Sequence, residues 1–245
     1  MSTSTRRPVG RHEGRWTYGD SWDRFPVEPG QLWAVGPHRF AAGDLEMGDG
    51  LALLASPEVP QPGVGYVDPP WDPSNASSFR TKAGADNKAD FSLLLRKVAQ
   101  VMLHVTGVAF AEMGLRQTDA FVETIRQAGG HVYSVQQIND PPNKFTCNLV
   151  AFGHAPTANI LAAHDPGKGR ALTGLETPQW AIRHHALRGE AVLDCCVGRG
   201  LTAISAHMLD RPCVGLELNP RRLAVTIAKL VDQGAGEATV VGSIH

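Results

Sequence analysis

The stretch Ala191-Val192-Leu193-Asp194-Cys195-Cys196-Val197-Gly198-Arg199-Gly200-Leu201-Thr202 decides how this 245-residue chain is read. Three apolar residues closed by an acid predict a buried strand, and Gly198 and Gly200 predict a tight turn that opens a helix at Leu201. The next apolar run, Cys213–Leu218, contains Glu217 near its end, 23 residues beyond Asp194. An acid at that distance, closing the following strand, is placed to grip the two hydroxyls of a ribose. Glycines at such turns also serve helix–strand packing, so the turn alone decides little. Strand, turn, helix and spaced acid together favour an adenosine-bearing cofactor.

Outward from this unit the chain alternates strand and helix patterns. Strands are expected at Arg39–Met47, Val64–Val67, Gly107–Ala111, Ala191–Leu193 and Cys213–Leu218, with helical patterns at Gly50–Leu54, Asp90–Val105, Thr118–Gln127, Pro178–Leu187, Leu201–Leu209 and Pro220–Val231. His131–Ile138 and Cys147–Phe152 read as a strand pair around the loop 139–144. The alternation predicts an α/β fold with a mostly parallel, doubly wound sheet and an antiparallel strand pair at one edge. Residues 1–37 carry Arg6, Arg7, Arg11 and Arg15 with Trp16, Trp22 and Trp33 but no sustained periodicity. They read as an N-terminal arm on a domain spanning 38–245.

Composition narrows the classes of function. Apolar residues make up 42% and charged ones 19%, enough for a core and incompatible with wholesale disorder. Net charge is −1 and pI about 6.8, so no global basic field draws the chain to nucleic acid or an anionic membrane; such a partner needs a local patch. No apolar run approaches the roughly 18 residues of a membrane span, and no signal peptide is visible, so the expectation is a soluble cytoplasmic protein without a membrane partner. Cys147, Cys195, Cys196 and Cys213 lack CxxC spacing and read as reduced thiols. His184 and His185 lack the spacing of a metal site and read as surface or packing residues, so no metal is expected.

A second strand-end loop carries chemistry: Val64-Gly65-Tyr66-Val67-Asp68-Pro69-Pro70-Trp71. The strand delivers Asp68 to its end, and two prolines fix φ and remove backbone donors. An amine would find two acceptors side by side, the Asp68 carboxylate and the Pro69 carbonyl, with the flat face of Trp71 for a heteroaromatic base. Two hydrogen bonds accepted at a tetrahedral angle pull the lone pair of a conjugated exocyclic amine out of conjugation and make it nucleophilic. A rigid Pro-Pro turn with a packed Trp is the plainer alternative.

Together the two loops resemble one family. Asp68-Pro69-Pro70-Trp71 is similar to the catalytic signature of S-adenosylmethionine-dependent amino methyltransferases acting on adenine N6, and Asp194–Thr202 resembles that family's cofactor loop. The tetrad precedes the cofactor loop, similar to the circularly permuted β group of DNA adenine-N6 methyltransferases. Gly48-Asp49-Gly50-Leu51, 19 residues ahead of the tetrad, resembles the segment whose acid faces the cofactor adenine, with Asp44 in Gly43-Asp44 as competitor. The resemblance covers roughly Arg39–Leu230. It implies a Rossmann-like methyltransferase fold, S-adenosylmethionine as cofactor, and cofactor contacts from Asp49, Asp68, Thr177, Asp194, Cys195, Cys196, Gly198, Gly200, Glu217 and Leu218. Where the family has Pro-Phe-x-Gly-Ser-Gly after the loop acid, this chain has Cys195-Cys196-Val197-Gly198-Arg199-Gly200, with a smaller side chain beside the methionine moiety. The recognition interval, 153–178, is only 26 residues.

The expected activity is methyl transfer to the exocyclic N6 amine of adenine in DNA, with Asp68, Pro69, Pro70 and Trp71 catalytic. Open alternatives are RNA adenine-N6 or DNA cytosine-N4 as acceptor, or a catalytically silent nucleic-acid-binding partner subunit. DNA is preferred over RNA, and a homodimer is compatible with the short recognition interval. Candidate substrate contacts are Trp71, Asn75, Arg80, Lys82 and Lys144, with Ser77, Ser78, Phe79 and Lys88 in a Ser/Asn-rich stretch that reads as a mobile loop. Asn139-Asp140-Pro141-Pro142-Asn143 repeats Asp-Pro-Pro but reads as a hairpin turn.

Overall fold

A computed structural model of the chain describes residues 17–85, 89–140, 145–165, 170–171 and 174–245. In chain order its elements are α1 (Tyr18–Arg24), β1 (Gln31–Val35), β2 (His38–Ala42), a short 3-10 helix (Leu45–Met47), α2 (Asp49–Ala55), β3 (Pro62–Val67), α3 (Pro73–Ala83), α4 (Phe91–Met102), β4 (Ala109–Gly114) and α5 (Thr118–Gln127). They continue with β5 (His131–Asp140), β6 (Phe145–Gly153), the two-residue strands β7 (His164–Asp165) and β8 (Arg170–Ala171), α6 (Glu176–His185), β9 (Ala191–Asp194), α7 (Leu201–Met208), β10 (Cys213–Glu217), α8 (Pro220–Asp232) and β11 (Ala238–Ser243).

Nine strands form one sheet in the order β11-β1-β2-β10-β9-β3-β4-β6-β5. The five central strands, β2 to β4, run parallel, and their fully buried sides read as the near-continuous apolar runs expected of such strands. Core residues of α6, α7 and α8 cover one face, through Trp180, Ile182, Ala203, Leu223 and Ile227, with the partly buried Trp22 of α1 packed against them. Those of α2 to α5 cover the other, through Leu53, Leu95, Val98, Met102, Phe121 and Ile125. The amphipathic pattern of residues 90–105 is α4, whose buried side carries Leu94, Leu95, Val98, Ala99, Val101 and Met102. From β9 the chain winds one way to β10, and from β3 it winds the other way to β4. The switch point, where open α/β sheets hold ligands, therefore lies between β9 and β3.

The structure departs from the expectation at the edges. The antiparallel pair β5–β6 stands at one edge as predicted, but the other edge carries a second antiparallel pair, β1 with β11. Both strands fall where the sequence shows no alternation: β1 sits inside the stretch read as an irregular arm, which also contains α1, and β11 is exposed along almost its whole length. The strand expected over Arg39–Met47 stops at Ala42, because Asp44 caps the 3-10 helix by accepting from the Glu46 N–H at 2.9 Å. The Ser/Asn-rich stretch after the tetrad is helix α3 rather than a loop.

One buried polar chain ties β2 to the helices behind it. The Cys213 N–H donates to His38 Nδ1 at 3.1 Å, which leaves the His38 Nε2–H to donate to His207 Nδ1 at 3.3 Å and the His207 Nε2–H to donate to the Gln233 carbonyl at 3.3 Å. Burial, the neighbouring His207 and Arg39 push the His38 pKa down to about 3, so this histidine is neutral near pH 7.

Candidate active site

The cofactor-type loop leaves β9 at Asp194. Asp194 is buried and accepts from the Cys196 N–H at 2.9 Å. Its pKa is pushed up to about 7, first by burial, with the Cys196 and Thr202 bonds pulling it down and the charges of Asp68 and Glu217 adding to the rise. Glu217, one strand over, closes the turn from the other side: one carboxylate oxygen accepts from the Gly198 N–H at 2.6 Å and the other from the Asn219 N–H at 2.9 Å. Burial also raises Glu217, against the bonds from Asn219 and Gly198 and the charge of Arg222. Each carboxylate oxygen has two lone pairs, so Glu217 holds the loop and keeps acceptor capacity for a ribose.

Gly200 shows why the loop needs glycine. Its φ is +83°, and a Cβ there would lie 2.6 Å from the Thr226 side chain on α8. Cys195 and Cys196 follow Asp194 with hydrogen-bonded thiols, and that bond together with burial holds Cys196 well above the ordinary thiol range and therefore protonated. None of the four cysteines is joined in a disulfide among the described residues. At the start of α6, Thr177 is fully buried and its hydroxyl has no hydrogen-bond partner among the described residues. A buried hydroxyl left unpaired is unfavourable by about 1–3 kcal/mol, which points to a polar ligand atom as its missing partner.

Across the switch point β3 delivers Asp68. The carboxylate is solvent-accessible at the strand end, yet protein crowds it closely enough to push its pKa up to about 6, while the bond from the Trp71 indole N–H, 2.8 Å to Oδ1, pulls the other way. Asp68 and Asp194 thus stand at the ends of adjacent strands, near enough for the charge of Asp68 to raise Asp194. Trp71 packs onto the end of β4 at Gly114, where a Cβ would sit 3.0 Å from that of Trp71. On the same face as Asp68, Tyr66 donates to the Glu112 carboxylate of β4, and Cys147 approaches the other oxygen at 3.9 Å. Gly114 and Glu112 carry no signal in the sequence, because their partners lie on a neighbouring strand whose register only the fold reveals.

The remaining candidates divide. Asp49 begins α2, buried, and its carboxylate accepts from the Asp44 N–H at 2.7 Å. Asp44 itself continues β2 beside Glu217, whose carbonyl accepts from the Gly43 N–H at 3.0 Å, and its carboxylate pairs with Arg80 at 2.8 Å. Arg80 is buried, bridging Asp44 and Glu46 and anchoring α3 to the segment after β2. Asn75 is exposed in the first turn of α3, and its N–H caps onto Asp72 at 2.8 Å. Phe79 and Lys82 reach a cavity of about 380 Å³ whose opposite wall is Glu217, Leu218 and Asn219. The α3 end is tied to this wall by the Asn219 Nδ2–H bond to the Lys82 carbonyl, 3.0 Å. Lys88 and Lys144 lie outside the described residues, as does most of the Asp-Pro-Pro decoy. Its flanking strands pair antiparallel, as a hairpin requires. His184 is exposed on α6, while His185 packs between Phe110 and Trp180. No described helix is long and apolar enough to cross a membrane.

The chain is an α/β fold with a parallel core flanked by antiparallel strands, a Gly-turn after β9 and an Asp-Pro-Pro-Trp turn after β3. Its fold is similar to that of solved structures that include DNA methyltransferases. M1.HpyAVI superposes with a TM-score of 0.56 at 16% identity, covering 78% of this chain and 98% of its own. TTHA0409 of Thermus thermophilus, a putative DNA modification methylase in complex with S-adenosyl-L-methionine, gives 0.55 at 17% identity over 84% of this chain and 98% of its own. The cytosine-N4-specific PvuII DNA methyltransferase gives 0.56 at 14% identity over 85% and 94%. At these identities the likeness is one of fold. No family model matches the chain, and no curated protein matches it.

Proposed function

We propose that this chain is an S-adenosylmethionine-dependent DNA methyltransferase that modifies the N6 amine of adenine, of the permuted β-group type. The observation that carries the reading is the placement of Asp68-Pro69-Pro70-Trp71 at the sheet's switch point, one strand from the glycine loop that Glu217 closes. S-adenosylmethionine fits the residues present. The cavity of about 380 Å³ beside Glu217 and Leu218 is of ligand size, and the unpartnered Thr177 hydroxyl offers a buried polar contact. Glu217 and Leu218 would hold the adenosine, with Asp44 or Asp49 toward its base. Asp194, Cys195, Cys196, Gly198, Gly200 and Thr177 would hold the methionine end. Once bound, this cofactor supplies an activated methyl group.

The chain's own residues supply position and a proton acceptor. The Asp68 carboxylate and Pro69 carbonyl accept the two N–H groups of the target amine, and Trp71 stacks on the base, a contact worth roughly 1–3 kcal/mol. The base reaches this turn by leaving the duplex stack or from a single strand. With its pKa near 6, Asp68 is ionised at neutral pH and basic enough to take the proton released as the amine is alkylated. Alignment of two bound reactants supplies most of the rate.

The test is mass spectrometry of nucleosides from DNA and RNA incubated with the protein and methyl-labelled S-adenosylmethionine, beside Asp68→Ala. Labelled N6-methyldeoxyadenosine, absent with the variant, is the expected result. Label in N4-methyldeoxycytidine or only in RNA redirects the acceptor, and no label with no cofactor binding overturns the reading in favour of a silent partner subunit.

A further inference from the structure

The rim of the cavity beside Glu217 carries three cations that the cofactor does not explain. Arg222 lies over the Phe79 ring at 4.6 Å, Lys82 approaches the same ring at 5.8 Å, and Arg221 lies over Trp22 at 5.8 Å. Among the described residues none of these three makes an ion pair, unlike Arg24, Arg80 and Arg126. Glu217 is near enough to Arg222 to feel its charge, but its oxygens are engaged by the Gly198 and Asn219 N–H groups. Stacking on aromatic faces holds the cationic heads in place without neutralising them. S-adenosylmethionine bears a sulfonium and an ammonium against one carboxylate, so a cationic rim repels it rather than attracts it. A cluster of oriented, unpaired cations calls for an anion.

We propose that Lys82, Arg221 and Arg222 form a phosphate-binding rim that grips the nucleic-acid backbone beside the target nucleotide. The inference rests on the methyltransferase reading and adds where the acceptor strand is held. Strand order supports it: Glu217, in the cavity wall that the rim borders, closes β10 and Asp68 follows β3, with β9 between them, so that wall stands roughly 10 Å from the acceptor turn at about 4.8 Å per strand. Phosphates recur along a duplex strand about every 3.4 Å of helix axis, so a span of this size reaches backbone phosphates within about three nucleotides of the modified base. Helix α3 links the two places directly, running from the tetrad to Lys82 and fixed there by Asn219. With a net charge of −1, the chain gains attraction for a polyanion only from such a local cluster.

The experiment measures binding of a fluorescent duplex and a fluorescent single strand across a KCl series, with S-adenosylmethionine affinity measured in parallel by calorimetry. Lys82 and Arg221 are exposed, so Lys82→Gln/Arg221→Gln retains the fold, and Lys82→Arg/Arg221→Lys is the charge-conserving control. The double Gln variant is expected to bind at least about tenfold more weakly at low salt. The slope of log K against log[KCl] should shrink by about 0.9 per lost contact on the duplex, or about 0.7 on a single strand. The control should keep the wild-type slope, and cofactor affinity should not fall in the Gln variant, because the lost cations only oppose the positive charge of the cofactor. Unchanged nucleic-acid affinity and slope in the Gln variant, with wild-type protein binding and methylating normally, overturn the rim and leave the methyltransferase reading intact. A wild-type chain that neither binds nor methylates any nucleic acid overturns both.

Discussion

The two halves of the candidate site are built on opposite plans. On the β9–β10 side the carboxylates of Asp194 and Glu217 are buried and bonded to backbone N–H groups of the loops they serve: Asp194 to Cys196, Glu217 to Gly198 and Asn219. On the β3–β4 side Asp68 stands open at a strand end, with an indole N–H from its own turn on one oxygen. On the proposed function the first half is a preformed cradle whose shape must not change between turnovers. The second would present acceptors to an amine that arrives and leaves, and it takes its rigidity from two prolines and from the Trp71 bond to Asp68. The difference separates holding from reacting, so substitutions in the two halves should fail in different assays.

The largest effect is expected at the open half. Asp68→Ala removes the proton acceptor and one of two amine contacts, and methyl transfer should fall by at least about 10³-fold with folding unchanged. A variant within about tenfold of wild type in a labelled-methyl assay would remove Asp68 from the chemistry. Next comes the cradle: Glu217→Ala strands the Gly198 and Asn219 N–H groups as well as the expected ribose contacts, and cofactor affinity should drop about 10- to 100-fold. Unchanged calorimetric affinity would sever Glu217 from the cofactor. Gly200→Ala should destabilise the fold by about 1–3 kcal/mol, because it places a side chain at φ +83° against Thr226. A denaturant midpoint equal to wild type would mean that the turn relaxes freely.

Smaller shifts sharpen the contrast. Trp71→Phe keeps an aromatic face but deletes the N–H bond that lowers Asp68, so the acid limb of kcat/KM, near pH 6 in the wild type, should move to higher pH. A limb that stays in place or moves down contradicts the assignment. Beneath the cradle, His38 has a folded pKa of about 3 against 6.5 unfolded, so the unfolded chain takes up the proton first. The stability His38 confers by staying neutral is complete above about pH 6.5 and is lost as pH falls toward 3. Between about pH 7 and pH 5 the wild-type Tm should therefore drop further than that of His38→Gln. Equal drops would show that the buried His38–His207 chain does not govern acid stability.

The halves also differ in how they announce themselves in the sequence. The cradle is legible because its parts are local: an apolar strand, glycines at fixed offsets and an acid one strand later all fall within residues 191–218. The tetrad is legible as a contiguous string. What surrounds them is not. Helix α3 has a cap at Asp72, Pro73 in its first turn and Gly84 at its end, but its polar composition gives no helical period; Arg80, buried against Asp44 and Glu46, fixes it from a distance. Strands β1 and β11 form the sheet's edge, and neither shows the alternation of a strand with one wet face: β1 is buried almost throughout and β11 exposed almost throughout. The His38–His207 contact joins residues 169 positions apart. Arg221 and Arg222 are invisible as a site because their aromatic supports, Trp22 and Phe79, lie far away in the first third of the chain.

The most direct test of the division is calorimetric titration of S-adenosylmethionine into wild-type protein, Asp68→Ala and Glu217→Ala. The account predicts that Asp68→Ala binds within about twofold of wild type while Glu217→Ala is weakened at least about tenfold. Loss of binding in Asp68→Ala with binding retained in Glu217→Ala would contradict it.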